Sequence, residues 1–351
     1  MSAIHRPLVR DPVTTSTNAS DASMATPSRA RRRSIGAFAI RIGAVATFAL
    51  ILLYFAVLAP GFLMPGNLIN IVEQSAILGV MAFGMSVVII AGGSNVTEGG
   101  IDLSIAANMG VCAAVFAKLL TLGYSDGTAV LAVIAVGLAI GALNAVAVVW
   151  LGILPLLATL AVMNIAAGVE LTVTQNTVLS VTSPLITAMS TWSLFGISAL
   201  AWVLIAVSLF MIALVHFTSF GLRLYAVGGH PEAARAAGIG VSRYVMFSYL
   251  FSGLSAAIAS VLMVSRLSSS TPGSGDMLLS VLAAALLGTV FSRRFVPTIG
   301  GTILSVLFIG CLANGFQLLN VSSYWVNGVQ GALILLVVAT TSFARKPESG
   351  Q

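Results

Sequence analysis

Residues 71–104 read IVEQSAILGVMAFGMSVVIIAGGSNVTEGGIDLS. From Ile71 to Ala91 the run is almost wholly apolar, and about 20 such residues at 1.5 Å each cross a bilayer core as a helix. It then breaks into Gly92-Gly93-Ser94-Asn95-Val96-Thr97-Glu98-Gly99-Gly100-Ile101-Asp102-Leu103-Ser104, after which a second apolar run begins at once. Irregular backbone near membrane depth survives only where it is buried in protein or lines a cavity. This stretch therefore predicts a chain of membrane helices packed around a polar interruption.

The rest of the sequence extends the pattern. Ten apolar spans are expected, at about 42–59, 71–91, 103–121, 128–150, 154–175, 198–217, 244–264, 277–291, 298–319 and 324–343. The eighth is short. Charged residues are 7% of the 351-residue chain, against roughly 25% in an ordinary soluble domain. The expected fold class is an all-α polytopic membrane protein of about ten transmembrane helices. Residues 1–34, rich in Ser, Thr, Asp and Ala, read as a disordered cytoplasmic tail, residues 35–343 as the membrane domain, and 344–351 as a C-terminal cytoplasmic tail.

Basic residues give the orientation. With the N-terminus in the cytoplasm, Arg223, Arg235, Arg243, Arg293, Arg294, Arg345, Lys346 and the N-terminal arginines fall inside, whereas Lys118 and Arg266 fall outside. Both termini are then cytoplasmic. Ten spans divide into five plus five, and an odd number per half inverts the second half. Each half has an irregular break after its second span; the second break is Ser268 to Asp276. Paired interruptions of this kind mark inverted-topology transporters; two unrelated loops would have the same composition.

The composition also excludes functions. The only lysines, Lys118 and Lys346, lie outside any G-x-x-x-x-G-K-[ST] setting, so the chain is not expected to hydrolyse ATP itself. Cys112 and Cys311 sit in apolar runs, and His5, His216 and His230 show no metal spacing. No metal and no cofactor are expected. The net charge of +6 flanks apolar spans and forms no nucleic-acid surface. No constellation of His, Cys, Ser and carboxylate suggests an enzyme.

Two segments carry the chemistry. In Gly100-Ile101-Asp102-Leu103-Ser104, Asp102 or Ser104 can cap the helix that follows, or Asp102 can meet a solute directly. Asp276 occupies the corresponding break. The loop Phe220 to Arg243 contains His230-Pro231-Glu232-Ala233-Ala234-Arg235-Ala236-Ala237-Gly238. Pro231 suits the first position of a helix and Gly238 its stop, so a two-turn helix outside the bilayer is expected. Asn108, Asn144, Asn164, Asn314 and Gln317 are polar groups within or beside spans; each either lines a path or bonds a neighbouring helix.

The chain resembles the ribose-type permease family, the membrane subunits of bacterial ABC importers for monosaccharides and related small polar molecules. The resemblance rests on Gly84 to Ile90 leading into Gly100-Ile101-Asp102-Leu103-Ser104, on Phe220 to Val241, on Ser265 to Gly273, and on Asn320 to Trp325. It covers about Asn67 to Val338. The sequence departs from the family pattern at an insertion, Ser94 to Gly99, after Gly275, and at Ser292 to Pro297. The resemblance implies a bacterial inner-membrane location, an ABC ATPase subunit that binds the ATP and docks on about His230 to Gly240, an extracytoplasmic solute-binding protein, and a second permease subunit in a homodimer or heterodimer. The alternative is an ion-coupled secondary transporter, which needs ionisable groups inside the membrane.

Overall fold

The computed structural model describes residues 45–46, 48–93, 100–292 and 296–345. The N-terminal tail, the 94–99 insertion, Arg293, Arg294 and the last six residues lie outside the described residues. An apolar helix, α1 (Phe48–Leu58), leads into α2 (Pro65–Gly92), α3 (Ile105–Thr121), α4 (Asp126–Ala145) and α5 (Pro155–Thr174). The last turn of α4 continues as a π-helical segment, Val146–Trp150. After a short segment containing α6 (Pro184–Thr191) come α7 (Ala199–Phe217), α8 (Ser219–Gly229), α9 (Pro231–Ala236) and α10 (Val241–Leu267). The chain ends in α11 (Leu278–Val290), α12 (Ile299–Leu318) and α13 (Ser323–Arg345).

Local signals set these boundaries. Pro65 and Pro155 occupy first-turn positions, where a missing N–H costs nothing. The hydroxyls of Ser125, Ser183, Ser198 and Thr298 cap α4, α6, α7 and α12 by accepting backbone N–H groups of Thr128, Ile186, Ala201 and Gly301. Among the described residues six helices are long and apolar enough to cross a membrane, namely α2, α4 with its π turn, α5, α7, α10 and α12. The chain is a multi-pass, all-α membrane protein. α2 starts six residues before the expected Ile71 because Pro65 nucleates it. The stretch 219–229, read from the sequence as loop, forms the helix α8, opened by the Thr218 hydroxyl accepting the N–H of Phe220.

The two longest helices, α2 (28 residues) and α10 (27 residues), pack against each other at the centre. Each is followed by an irregular break and then a short apolar helix, α3 or α11. Packing is reciprocal: α10 lies on α3 and α4, whereas α2 lies on α11 and α12. Two short strands tie the α5–α6 connection to the one after α10, with Leu179 and Ser180 pairing antiparallel to Ser270 and Ser269. α1 seals the flank of α12, Phe48 meeting Phe308 at 4.1 Å and Phe55 meeting Phe316 edge-on at 5.4 Å.

Membrane helices gain little from apolar burial against one another, so close backbone approach matters more. The α4–α10 contact depends on it. A side chain at Gly137 would strike the carbonyl oxygen of Gly253, and one at Gly141 the carbonyl oxygen of Tyr249. Gly137→Ala is therefore expected to lower the thermal midpoint of the detergent-solubilised protein. The same change at Gly127, which has open space around it, should leave the midpoint unchanged or raise it slightly.

Candidate functional site

The break between α2 and α3 is closed by one carboxylate. Asp102 Oδ1 accepts the Ser104 N–H at 2.9 Å and the Ser104 hydroxyl at 2.6 Å. Asn144 Nδ2, from α4, donates to Ser104 Oγ at 2.6 Å and reaches Asp102 Oδ1 at 3.4 Å. The other carboxylate oxygen, Oδ2, accepts the Ser252 hydroxyl of α10 at 2.6 Å. All four side chains are buried. The Thr159 hydroxyl of α5 points at the Ile101 carbonyl, 3.3 Å away. One acidic residue thus joins the break to two other helices. Ser104 stands at the N-cap position of α3 yet makes no side-chain cap bond, because its hydroxyl is committed to Asp102 and Asn144. Asp102 thus takes a backbone N–H at the entrance to α3, as expected of a cap, and adds a bridge to Asn144 and Ser252.

Gly100 fits where nothing larger would. A Cβ there would collide with the Val88 carbonyl, so the chain doubles back against the end of α2. That end also receives α8. A Cβ at Gly228 would overlap the Ile90 carbonyl, and one at Gly93 would meet the Gly228 carbonyl at 2.6 Å. Tyr225 of α8 donates its hydroxyl to the Pro297 carbonyl at 2.9 Å. Burial pushes that phenol up to about 12, so it remains a donor at any physiological pH.

α9 projects from this platform. The Ile239 N–H donates to the Ala234 carbonyl and the Gly238 N–H to that of Arg235, both at 2.9 Å, with Gly238 at φ +78°. This is a Schellman stop. His230 forms the hinge between α8 and α9, donating its N–H to Ala226 and accepting that of Ala234. Ala234 is 4% exposed and faces the protein, whereas Pro231, Glu232, Ala233, Arg235, Ala236, Ala237 and Gly238 face outward. Glu232 and Arg235 form an exposed ion pair at 2.5 Å, a contact of small energetic weight.

The remaining sequence candidates are scattered. Asn108 donates to the Gly137 carbonyl at 3.2 Å and serves the α3–α4 contact. Asn314 and Asn67 exchange reciprocal amide bonds of 2.8 and 3.0 Å that clamp α12 to α2. Asn164 is on an exposed face of α5 and bonds its own helix at the Leu160 carbonyl. Asp276 is exposed in a short turn that packs on α3 and is not among the hydrogen-bond partners of the Asp102 cluster. Gln317 alone of these amides lines a cavity, together with Gln74 and Gln330. Ser252 and Thr159 were not foreseen; Ser248, Ser252 and Ser255, spaced along one face of α10, were the available signal. Among the described residues no three His, Cys, Asp or Glu side chains come together to hold a metal ion.

Residues 67–338 match the family described as the permease component of branched-chain amino acid transport systems. The chain belongs to this family. It is a transport subunit and not an enzyme. The permease is 33% identical over 310 residues to the ribose import permease protein RbsC of Bacillus subtilis, a match covering 85% of this chain and 91% of the relative. It is 29% identical over 304 residues to the galactose/methyl galactoside import permease protein MglC of Escherichia coli, covering 82% and 90%. The L-arabinose ABC transporter permease protein AraH of Azospirillum brasilense shares 28% over 326 residues, covering 93% and 94%. No solved structure matches the chain.

The Asp102 cluster predicts unequal costs on mutation. Ser252→Ala removes one interhelical hydrogen bond, about 1 kcal/mol in a membrane protein. Asp102→Ala leaves the hydroxyl and amide donors of Ser104, Asn144 and Ser252 facing an apolar gap and should cost about 3 kcal/mol or more. Unfolding in mixed detergent–SDS micelles measures both. The double variant should cost less than the sum of the two single changes.

Proposed function

We propose that this permease is the membrane-spanning subunit of an ABC importer that moves a monosaccharide or similar small polar solute inward. The observation that carries the reading is the family match over residues 67–338, with relatives named for ribose, arabinose and galactose import. ATP is hydrolysed on a separate ATPase subunit, solute is delivered by an extracytoplasmic binding protein, and a second permease chain completes the assembly. The membrane is the bacterial inner membrane. Both termini are cytoplasmic, with Arg223, Arg235 and Arg243 on that side and Lys118 and Arg266 outside.

Ten helices cross, in two inverted halves of five. Support comes from the reciprocal packing of α2 on α11 and α12 and of α10 on α3 and α4. The near-equal lengths of α2 and α10, each with its break and short following helix, agree with it. α3 and α11, at 17 and 13 residues, are short for a crossing, and the breaks supply the remaining depth. On this topology a cysteine placed at Thr187, exposed in α6, is labelled by a membrane-impermeant thiol reagent from the outside only. Labelling from the cytoplasm alone would overturn the count of ten.

His230 to Gly238 is the segment through which the ATPase drives the permease. α9 is short and exposed, and α8 seats it on the backbone of α2 beside the Asp102 break, so a push on α9 reaches the core through contacts too close to be compressed. The outward alanines, Ala233, Ala236 and Ala237, form the contact face. Ala236→Glu and Ala237→Glu should each reduce ATP-driven uptake of labelled sugar by about tenfold or more, since an unpaired charge is desolvated at the interface, while expression stays near normal. Ala234→Glu, buried within the chain, should instead lower the folded yield. Normal coupled uptake in both outward variants would remove α9 from the coupling role. The ion-coupled alternative predicts uptake that follows a proton or sodium gradient and persists when the partner ATPase is inactivated.

A further inference from the structure

The fold makes one kind of crevice twice. At the face carrying α9, a cavity of about 360 Å³ opens between the first turns of α10, the π turn that ends α4, and the start of α5. At the opposite face a cavity of about 600 Å³ opens between Gln74, Ser75 and Leu78 of α2, Ser280 of α11, the last turns of α12 and the start of α13. When α2 is paired with α10, α4 with α12 and α5 with α13, the two crevices open between corresponding helices, the second lying deeper along α2 and reaching Ser280 of α11. Their walls differ in chemistry. Where α4 and α5 supply Val148, Val149, Ile153 and Leu154, α12 and α13 supply Gln317, Asn327 and Gln330, and α2 adds Gln74.

The wall that α12 and α13 form is rich in amides where that of α4 and α5 is aliphatic, although α9 and α10 bring Arg235, Ser242, Ser248 and Tyr249 to the counterpart. Polar groups inside a membrane are costly and mark a functional path. Two of the amides are held by neighbours: the Ser280 hydroxyl donates to Gln330 Oε1 at 2.8 Å, and Gln74 Nε2 donates to Asn70 Oδ1 at 3.2 Å. Ser75, 1% exposed, lines the same wall, and its hydroxyl has no hydrogen-bond partner among the described residues. No acidic or basic side chain lines the cavity. A carboxamide both donates and accepts, as does a sugar hydroxyl. A charged solute would find no counter-charge there.

We propose that this cavity is a solute site of the permease, taking a neutral polyhydroxylated ring through hydrogen bonds from Gln74, Gln317 and Gln330, with Ser75 completing the set. The proposal rests on the sugar-importer reading and places the sugar within this chain. Its volume lies in the range of small-molecule sites. The site faces the side on which a binding protein would deliver solute.

The test uses the assembled transporter in right-side-out vesicles, with Cys112 and Cys311 replaced by Ala and Gln317→Cys introduced. An impermeant maleimide labels the new thiol. A large excess of D-ribose, L-arabinose or D-galactose, whichever the wild type imports, should slow labelling about threefold or more, as expected when most sites are occupied. The same excess of L-lysine or succinate should not. Labelling indifferent to a sugar that the wild type imports overturns the cavity and leaves the importer reading intact; a wild type that imports none of the three overturns both. If Gln317→Cys does not insert, Gln74→Leu and Gln330→Leu decide the matter. Each should change the ratio of uptake between two imported sugars by about threefold or more, the effect of losing a specific hydrogen bond, whereas a purely structural defect lowers both alike and overturns the site.

Discussion

A broken backbone inside a membrane must find its hydrogen bonds within the protein, and here one carboxylate supplies the closure. Asp102 takes donors from Ser104, from Asn144 on α4 and from Ser252 on α10, so the gap between α2 and α3 is fastened to the two helices that would otherwise move past it. Lipid offers the break no alternative partner. The cluster thus fixes where α3 starts, how α4 meets α10, and how closely the end of α2 can be approached. Everything on the α9 face is built against that fixed point.

The second constraint is steric. Gly137, Gly141 and Gly253 let α4 and α10 meet backbone to backbone, and Gly93 and Gly228 do the same for α2 and α8. Such contacts transmit displacement with little slack, because carbonyl oxygens and Cα atoms do not deform as long side chains do. The short helix α9 is thereby seated, through α8, beside the hydrogen-bonded junction at Asp102. The other half of α2 carries Gln74 and Ser75 on an amide-lined cavity, so one helix has a backbone-packed end and a polar one.

Much of this was legible in the sequence. Each expected span contains a helix, six of them long and apolar enough to cross a membrane among the described residues, because apolar runs and Gly, Pro or Ser breaks are local signals that lipid enforces. Pro231 and Gly238 delimited α9 for the same reason. α8 was missed, since Phe220 to Gly229 contains three glycines and lacks a clear amphipathic repeat. It is stable only because it docks on α2. The inward turn of Ala234 was equally hidden, as an alanine run looks alike on every face of a short helix.

What the sequence by itself determined is the class of protein, the helices that its apolar runs form and the short helix bounded by Pro231 and Gly238. These follow from composition, periodicity and capping, each read within a few residues of where it acts. The roles of the buried polar residues were decided only by the tertiary structure. Asn108, Asn144, Asn314 and Gln317 are chemically alike on the page, yet three fasten helices together and one lines a cavity. The difference lies in partners 29 to 247 residues away along the chain, such as Gly137 for Asn108 and Asn67 for Asn314. An amide shows in sequence that it must find a partner, and only the packing of distant helices decides whether that partner is protein or solute.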